Sequence, residues 1–152
     1  MADGIFFEKQ NAIFDKLKKD LEKYSEDLVK EIDAEIFASA EEMATKAKQK
    51  APATPSGRLR ASIKVEKDSN AKLAYDLVAR VRYAAYVEFG TGPYVIVNKY
   101  DSYWQDIALP FKSPNPSSNR KIQAQPFFYP TVNKNIAKLR DKIKRILSKN
   151  EG

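Results

Sequence analysis

The sequence predicts an α+β fold, with a long N-terminal helix, a small antiparallel sheet with a β-hairpin and a long loop, and a C-terminal amphipathic helix. Near both ends of the chain, apolar residues recur every three or four positions, which is the period of an amphipathic helix. Between them the period changes to two, as in half-buried strands. At 152 residues the chain can bury a core, and we expect a single domain over residues 1–152.

The first predicted element is a helix over residues 12–50. Its apolar stripe runs through Phe14, Leu17, Leu21, Tyr24, Leu28, Ile32, Ile36, Ala40, Met43 and Ala47. Charged residues of both signs fill the positions between, which favours a solvated outer face. At ~1.5 Å per residue this helix would exceed ~50 Å, so it either bends around its own core or projects towards another subunit. Pro52 and Pro55 end it.

The predicted sheet region covers residues 58–97. Apolar and polar residues alternate over residues 58–66 and again over 75–83. A turn-rich segment separates the two runs, so we expect an antiparallel hairpin. Residues 83–89 are expected to form a short helical turn, and residues 94–97 a third strand.

One face of the predicted hairpin is basic. It carries Arg58, Arg60, Lys64, Arg80 and Arg82 against Glu66 and Asp76. This face is either a solvated, salt-bridged surface, which we favour, or a dedicated anion-binding surface.

The second half of the chain begins with a predicted irregular loop over residues 98–121, where three prolines lie among serines and asparagines. A last strand is expected over residues 122–128. Thr131 is the predicted N-cap of the C-terminal helix, residues 131–148. This helix is basic, and we interpret it as packing on the core with a solvated basic face.

Aromatic residues are concentrated in this half. They are Tyr94, Tyr100, Tyr103, Trp104, Phe111, Phe127, Phe128 and Tyr129. An irregular loop cannot bury all of its aromatics locally. They are therefore either anchors of a protein interface or a satellite cluster beneath the loop, and the sequence leaves both open.

The composition excludes several kinds of chemistry. There is no histidine and no cysteine, so serine–histidine catalysis, thiol nucleophiles and the usual zinc sites are excluded. The carboxylates Glu88, Asp101 and Asp106 could in principle hold magnesium, as in a metal-dependent nuclease, which is a remote third hypothesis, but no spacing rule links them. Gly90-Thr91-Gly92 lacks the rest of a nucleotide fingerprint. We therefore predict no enzyme, no cofactor, no metal site and no membrane partner. The net charge of +7 allows contact with nucleic acid without establishing it.

Three segments, taken in order, resemble a known family. They are Ala51–Ile63 (APATPSGRLRASI), Tyr83–Gly92 (YAAYVEFGTG) and Ala124–Pro130 (AQPFFYP). With a long helix before them and a helix after them, they resemble the gp10-like head–tail joining, neck or tail-completion proteins of long-tailed bacteriophages and prophages. The sequence departs from the family pattern in two places: Pro55 is an extra proline, and the segment 93–121 is longer than usual.

The resemblance implies a non-enzymatic structural protein of the virion, made in the host cytoplasm and placed at the head–tail junction. It implies a ring of six copies in contact with the head connector or adaptor and with tail-tube or tail-terminator proteins, around the DNA path. The predicted interface residues are Tyr86, Glu88, Phe89, Tyr103, Trp104, Phe111, Phe127 and Phe128. Glu88 is expected to pair with Arg58 or Arg60, within or between subunits.

A second hypothesis is a non-enzymatic, basic nucleic-acid-binding protein. It would use the basic hairpin face and the last helix, and its affinity would fall steeply with salt.

Overall fold

The computed structural model describes residues 5–7, 25–68, 73–92, 95, 97–112 and 123–149. Its strands and helices are, in chain order, β1 (Ile5–Phe7), α1 (Glu26–Lys50), α2 (Arg58–Ser62), β2 (Ile63–Lys67), β3 (Tyr75–Ala79), α3 (Ala84–Phe89), α4 (Ser102–Ala108) and α5 (Tyr129–Lys149). Short 3₁₀ helices occupy Val97–Lys99 and Leu109–Lys112. The predicted α+β fold is confirmed.

The long helix α1 begins at a serine cap. The Ser25 side chain accepts a hydrogen bond from the Leu28 backbone N–H at 3.3 Å, and Glu26 and Asp27 in the first turn suit the positive end of the helix dipole. The helix ends at Lys50, shortly before Pro52, as predicted. Residues 12–24 of the predicted helix lie outside the described residues.

The sheet has three antiparallel strands in the order β1-β3-β2. The predicted hairpin is formed by β2 and β3, with Val65 opposite Leu77. The third strand is β1 near the N-terminus, which the sequence did not predict. Val97, at the end of the predicted third strand, starts a 3₁₀ helix, so that prediction is wrong at Val97; Tyr94 and Ile96 lie outside the described residues.

The first half of the predicted strand 58–66 is wrong, because residues 58–62 form the helix α2. Gly57 adopts a left-handed conformation (φ 65°), and its carbonyl accepts a hydrogen bond from the Ala61 N–H at 3.1 Å, which closes a helical turn. In this turn Leu59 is completely buried, as is Ile63 at the start of β2. Alternation over so few residues is compatible with one helical turn as well as with a strand.

The strand β3 ends at Ala79 rather than at Tyr83. The Ala84 N–H then donates to the Val81 carbonyl at 3.1 Å, and this turn leads into α3. The predicted helical turn over residues 83–89 is therefore confirmed as α3.

The predicted loop 98–121 is helical in its first half, since α4 and the second 3₁₀ helix lie within residues 102–112. Asp101 caps α4 by accepting a hydrogen bond from the Trp104 N–H at 3.2 Å. The buried faces of Trp104 and Ala108 hold the helix on the core. Residues 113–122 lie outside the described residues.

The predicted strand 122–128 is also wrong over its described part. Residues 123–126 have no regular secondary structure, and a bend at Phe127 and Phe128 leads into α5. The helix begins at Tyr129, so Thr131 lies inside it and does not cap it. The Thr131 hydroxyl instead donates to the Phe127 carbonyl at 2.8 Å.

The helix α1 packs against both the sheet and α5. It runs antiparallel to α5, since Lys46 donates to the Asn135 side chain at 2.9 Å while Glu35 pairs with Lys142 at 3.4 Å. The buried stripe of α5, containing Val132, Leu139, Ile143 and Ile146, closes the core against α1.

Candidate assembly surface

The corner segment, residues 83–92, consists of α3 and the glycine turn that follows it. The Gly90 N–H donates to the Tyr86 carbonyl at 2.8 Å, which ends the helix. Gly90 (φ 75°) and Gly92 (φ 57°) adopt positive φ angles that side chains disfavour. The two glycines therefore serve to redirect the chain.

The buried carboxylate of Glu88 binds the start of α5 through three backbone amides. Its Oε2 accepts hydrogen bonds from the N–H groups of Phe127 and Phe128, and its Oε1 accepts one from Tyr129, each at 2.8 Å. These amides belong to the first residue of α5 and the two residues before it, where a backbone N–H has no partner within the helix. A fourth contact, from the Gln125 N–H to the Val87 carbonyl at 2.8 Å, holds the same two segments together. Glu88 thus acts as the N-terminal cap of a helix about 40 residues away.

The electrostatic environment of Glu88 combines opposing effects. Complete burial raises the pKa of this carboxyl above its usual value, while the three N–H donors and the positive charge of Lys50 act in the opposite direction. The positive end of the α5 dipole also favours a negative charge at this position. The carboxylate is held by donors on both oxygens, as a buried charge requires.

These contacts correct the predicted pairing of Glu88 with an arginine. Within the described residues Glu88 binds backbone amides, whereas the Arg60 Nε donates to the Ala51 carbonyl at 3.0 Å. Because Glu88 is completely buried, an arginine of another subunit cannot reach it without opening the core.

An aromatic cluster surrounds this cap, formed by Phe89, Tyr100, Trp104, Phe111, Phe127, Phe128 and Tyr129. Phe89 is its centre, with ring centroids 5.4 Å from Tyr100, 5.4 Å from Phe111 and 6.3 Å from Trp104. Trp104 also packs on Tyr129 at 5.1 Å. The cluster is continuous with the main core, which favours an internal packing role for most of the late aromatics.

The predicted interface residues therefore separate into two groups. Five are buried within the chain: Glu88, Phe89, Trp104, Phe127 and Phe128. Phe111 is half-buried, while Tyr86 and Tyr103 remain 45% and 39% exposed. The interface assignment itself stays a prediction, and among these residues the exposed Tyr86 and Tyr103 are the ones available to it.

The two exposed tyrosines rest on the aromatic cluster. Tyr86 packs edge-on against Phe111 at 5.3 Å, and Tyr103 packs edge-on against Trp104 at 6.0 Å. Leu109, 56% exposed at the end of α4, is a further apolar residue that sequence reasoning missed. Leu109 was not singled out because the sequence predicted an irregular loop over this segment. We call Tyr86, Tyr103 and Leu109 the surface apolar residues.

The predicted basic face is not a single sheet surface. Arg58 and Arg60 lie on α2, while Lys64 lies on β2. Arg80 forms a bidentate pair with Glu66, with Nε–Oε1 and Nη2–Oε2 distances of 2.7 and 2.6 Å. Arg58, Arg60, Lys64 and Arg82 are exposed. The helical turn of α2 breaks the alternation that predicted a single basic face on the sheet.

Two of the three carboxylates considered as metal ligands in the sequence have other partners. Glu88 and Asp101 are both engaged with backbone N–H groups. Across the part of the chain that the structure describes, no group of three or more potential metal ligands is present. None of the described helices is long and apolar enough to cross a membrane.

Comparison with known proteins yields one family. Residues 15–90 match the family described as "Bacteriophage HK97-gp10, putative tail-component". The matched span is half of the chain and includes α1, the hairpin and Glu88. No curated protein and no solved structure matched the chain. The chain therefore belongs to the HK97-gp10-like family of bacteriophage tail components, and its role is that of a structural protein of the virion.

Proposed function

We propose that this protein completes the tail at the head–tail junction of a long-tailed phage, as a ring of copies without enzymatic activity. In this role six copies surround the DNA path. They contact the head connector or adaptor on one side and the tail tube or terminator on the other.

The observation that carries this proposal is the use of Glu88. Glu88 lies in the corner segment, one of the three segments that together resemble the family, and its carboxylate is bound by three backbone N–H groups inside the core. It is therefore not available as a general base or metal ligand, both of which need access to a substrate or ion. It fixes a corner whose neighbouring residue, Tyr86, faces solvent. A rigid corner with an exposed aromatic side chain suits an assembly contact.

The test is to remove the gene from the phage that encodes the protein and to examine the lysate by electron microscopy. We expect separate filled heads and separate tails, and joined particles when the wild-type gene is supplied in trans. Joined particles at normal yield without the protein would overturn the head–tail role. Mass measurement of the protein in purified particles gives the number of copies.

A second candidate function is sequence-independent contact with duplex DNA. It is favoured by the exposure of Arg58, Arg60 and Lys64, which lie close together in the chain on α2 and β2. Such contact would show a logarithmic salt slope of about −0.9 for each phosphate neutralised. Binding that is insensitive to Arg58→Gln and Lys64→Gln would remove these residues from the DNA path.

A further inference from the structure

The two long helices carry opposite charge. Residues 26–42 of α1 contain seven acidic residues and one basic residue, whereas α5 contains seven basic residues and one acidic residue. The two segments therefore have net charges of −6 and +6 by the same count. Part of the opposite charge is paired within the chain, because Glu35 and Lys142 form an ion pair between the two helices.

Some of the remaining charges lie in two exposed rows, whereas Asp33, Glu42, Arg140 and Lys144 lie outside them. The outer row of α1 is Asp27, Glu31, Ala34, Ala38, Glu41 and Thr45, and the outer row of α5 is Lys134, Lys138, Asp141, Arg145 and Ser148. All of these residues are exposed. Both rows alternate spacings of four and three residues, so each forms a straight seam along its helix, as in helices that pack side by side.

The two rows are complementary in charge and in side-chain size. Three carboxylates lie along the α1 row, while the α5 row has three cations and one carboxylate, Asp141. Ala34 and Ala38 in the middle of the α1 row are short, so they let a neighbouring helix approach closely. Within the described residues no salt bridge involves the charged members of either row, although the positive charge of Lys138 helps Lys46, the main cause, to lower the pKa of Glu42 in the same chain.

We propose that the outer row of α1 in one copy packs against the outer row of α5 in a neighbouring copy of this chain. This proposal rests on the proposed ring and names its subunit contact. A polyanion such as DNA would be attracted to the α5 row but repelled by the adjacent acidic α1, whereas a second copy satisfies both rows. Complementary charge also speeds association and disfavours wrong partners.

The test uses two reversal sets. The acid set is Asp27→Lys, Glu31→Lys and Glu41→Lys, and the base set is Lys134→Glu, Lys138→Glu and Arg145→Glu. Each set makes the two rows of a chain alike in sign. We expect wild-type protein to self-associate in sedimentation velocity, more weakly at high salt, and each set alone to lose at least about tenfold in association constant.

The decisive sample is a one-to-one mixture of the two variants. The reversed α1 row of one variant then faces the reversed α5 row of the other, so we expect association to return. A chain that carries both sets should also associate. The control set Arg58→Glu, Lys64→Glu and Lys112→Glu makes the same charge change as the base set away from both rows, and should associate like wild type. Circular dichroism and thermal melting verify that every variant is folded.

Three outcomes would overturn the proposal: a wild-type protein that stays monomeric, a mixture that does not recover, or a control set that loses association as strongly as the base set. Loss of duplex DNA binding by the base set, with self-association unchanged, would assign the α5 row to DNA instead. The particle assay separates this proposal from the proposed function. If deletion of the gene prevents joining while both reversal sets support it, the head–tail role stands and this contact is wrong.

Discussion

At the scale of single residues, Glu88 is the most consequential side chain in the described structure. Its two oxygens bind three consecutive amides that are 39 to 41 residues away. The corner segment and the AQPFFYP segment, two of the three segments that together resemble the family, are thereby joined by one side chain. The two segments therefore depend on each other, because the backbone N–H groups of the second segment have their hydrogen-bond acceptor in the first.

Replacing Glu88 with Ala leaves three buried N–H groups without an acceptor. Since each unsatisfied group costs about 1–3 kcal/mol, we expect the free energy of unfolding to fall by roughly 3–6 kcal/mol in urea denaturation. Glu88→Gln keeps a carbonyl for two amides but opposes an N–H to the third, so its loss should be smaller, at about 2 kcal/mol. Asp106→Asn, on the exposed face of α4, is the control and should change stability by less than about 0.5 kcal/mol. Equal stability of Glu88→Ala and the control would contradict the capping role.

Tyr100 gives a prediction at alkaline pH. Burial, together with the nearby Glu88 carboxylate, raises the pKa of Tyr100 to about 12. An unfolded tyrosine ionises near pH 10, so the unfolded state loses the proton first. The contribution of Tyr100 is therefore fully present below about pH 10 and is lost as the pH rises towards 12.

The measurement is urea denaturation at several pH values between 9 and 12, comparing wild type with Tyr100→Phe. The stability of the wild type should fall more steeply over this range, by up to about 1.4 kcal/mol per pH unit. Parallel curves for the two proteins would show that Tyr100 ionises equally easily in the folded and unfolded states.

At the scale of secondary-structure elements, the connection from α1 to the sheet shows where local pattern is ambiguous. The α1 stripe spans many turns, so its period is unmistakable, and the described part of that helix matches the prediction. The segment 58–62 is a single turn, and its alternation fits two conformations. The left-handed Gly57 and its carbonyl bond to Ala61 select the helical one.

Gly57→Ala tests this selection. A Cβ at Gly57 meets no atom within 4 Å, so the expected cost comes from the positive φ alone, about 1–2 kcal/mol. Gly57→Asn should cost less, because asparagine tolerates this conformation better. Thermal or urea denaturation of the two variants measures the difference. If alanine were as well tolerated as asparagine, the left-handed turn would not be needed to start α2.

At the scale of the whole molecule, the exposed Tyr86 and Tyr103 lie over a cluster that is already packed internally. The aromatic cluster is filled by the chain itself, so the exposed rings of Tyr86 and Tyr103 are in excess of what the core needs. Substitutions of the exposed tyrosines should therefore test assembly, whereas substitutions of the buried aromatic residues should change stability.

The double variant Tyr86→Ser and Tyr103→Ser should retain most of the stability of the wild type, since surface substitutions commonly cost less than about 0.5 kcal/mol each. We expect it to reduce the yield of joined particles at least about tenfold when it replaces the wild-type protein. Trp104→Ala is the contrasting variant, because it removes a buried side chain and should cost about 3–5 kcal/mol in unfolding free energy. A normal yield of joined particles from the double variant would exclude these tyrosines as assembly contacts.

The sequence by itself determined the α+β class, the hairpin, the corner helix and the two amphipathic helices. These features depend on periods that repeat over several residues or on local turn chemistry. The absence of histidine and cysteine is equally a property of the sequence, and it excludes histidine- and thiol-based chemistry whatever fold the chain adopts.

Only the tertiary structure decided what the motif residues do. Burial of Glu88, the placement of Arg58 and Arg60 on a helix, and the helical content of residues 102–112 depend on neighbours that are distant in the chain. The cap of α5 could not be read locally, because Thr131 was the best nearby candidate while the true acceptor lay about 40 residues earlier. Long-range packing satisfied those amides, and no local pattern carries that information.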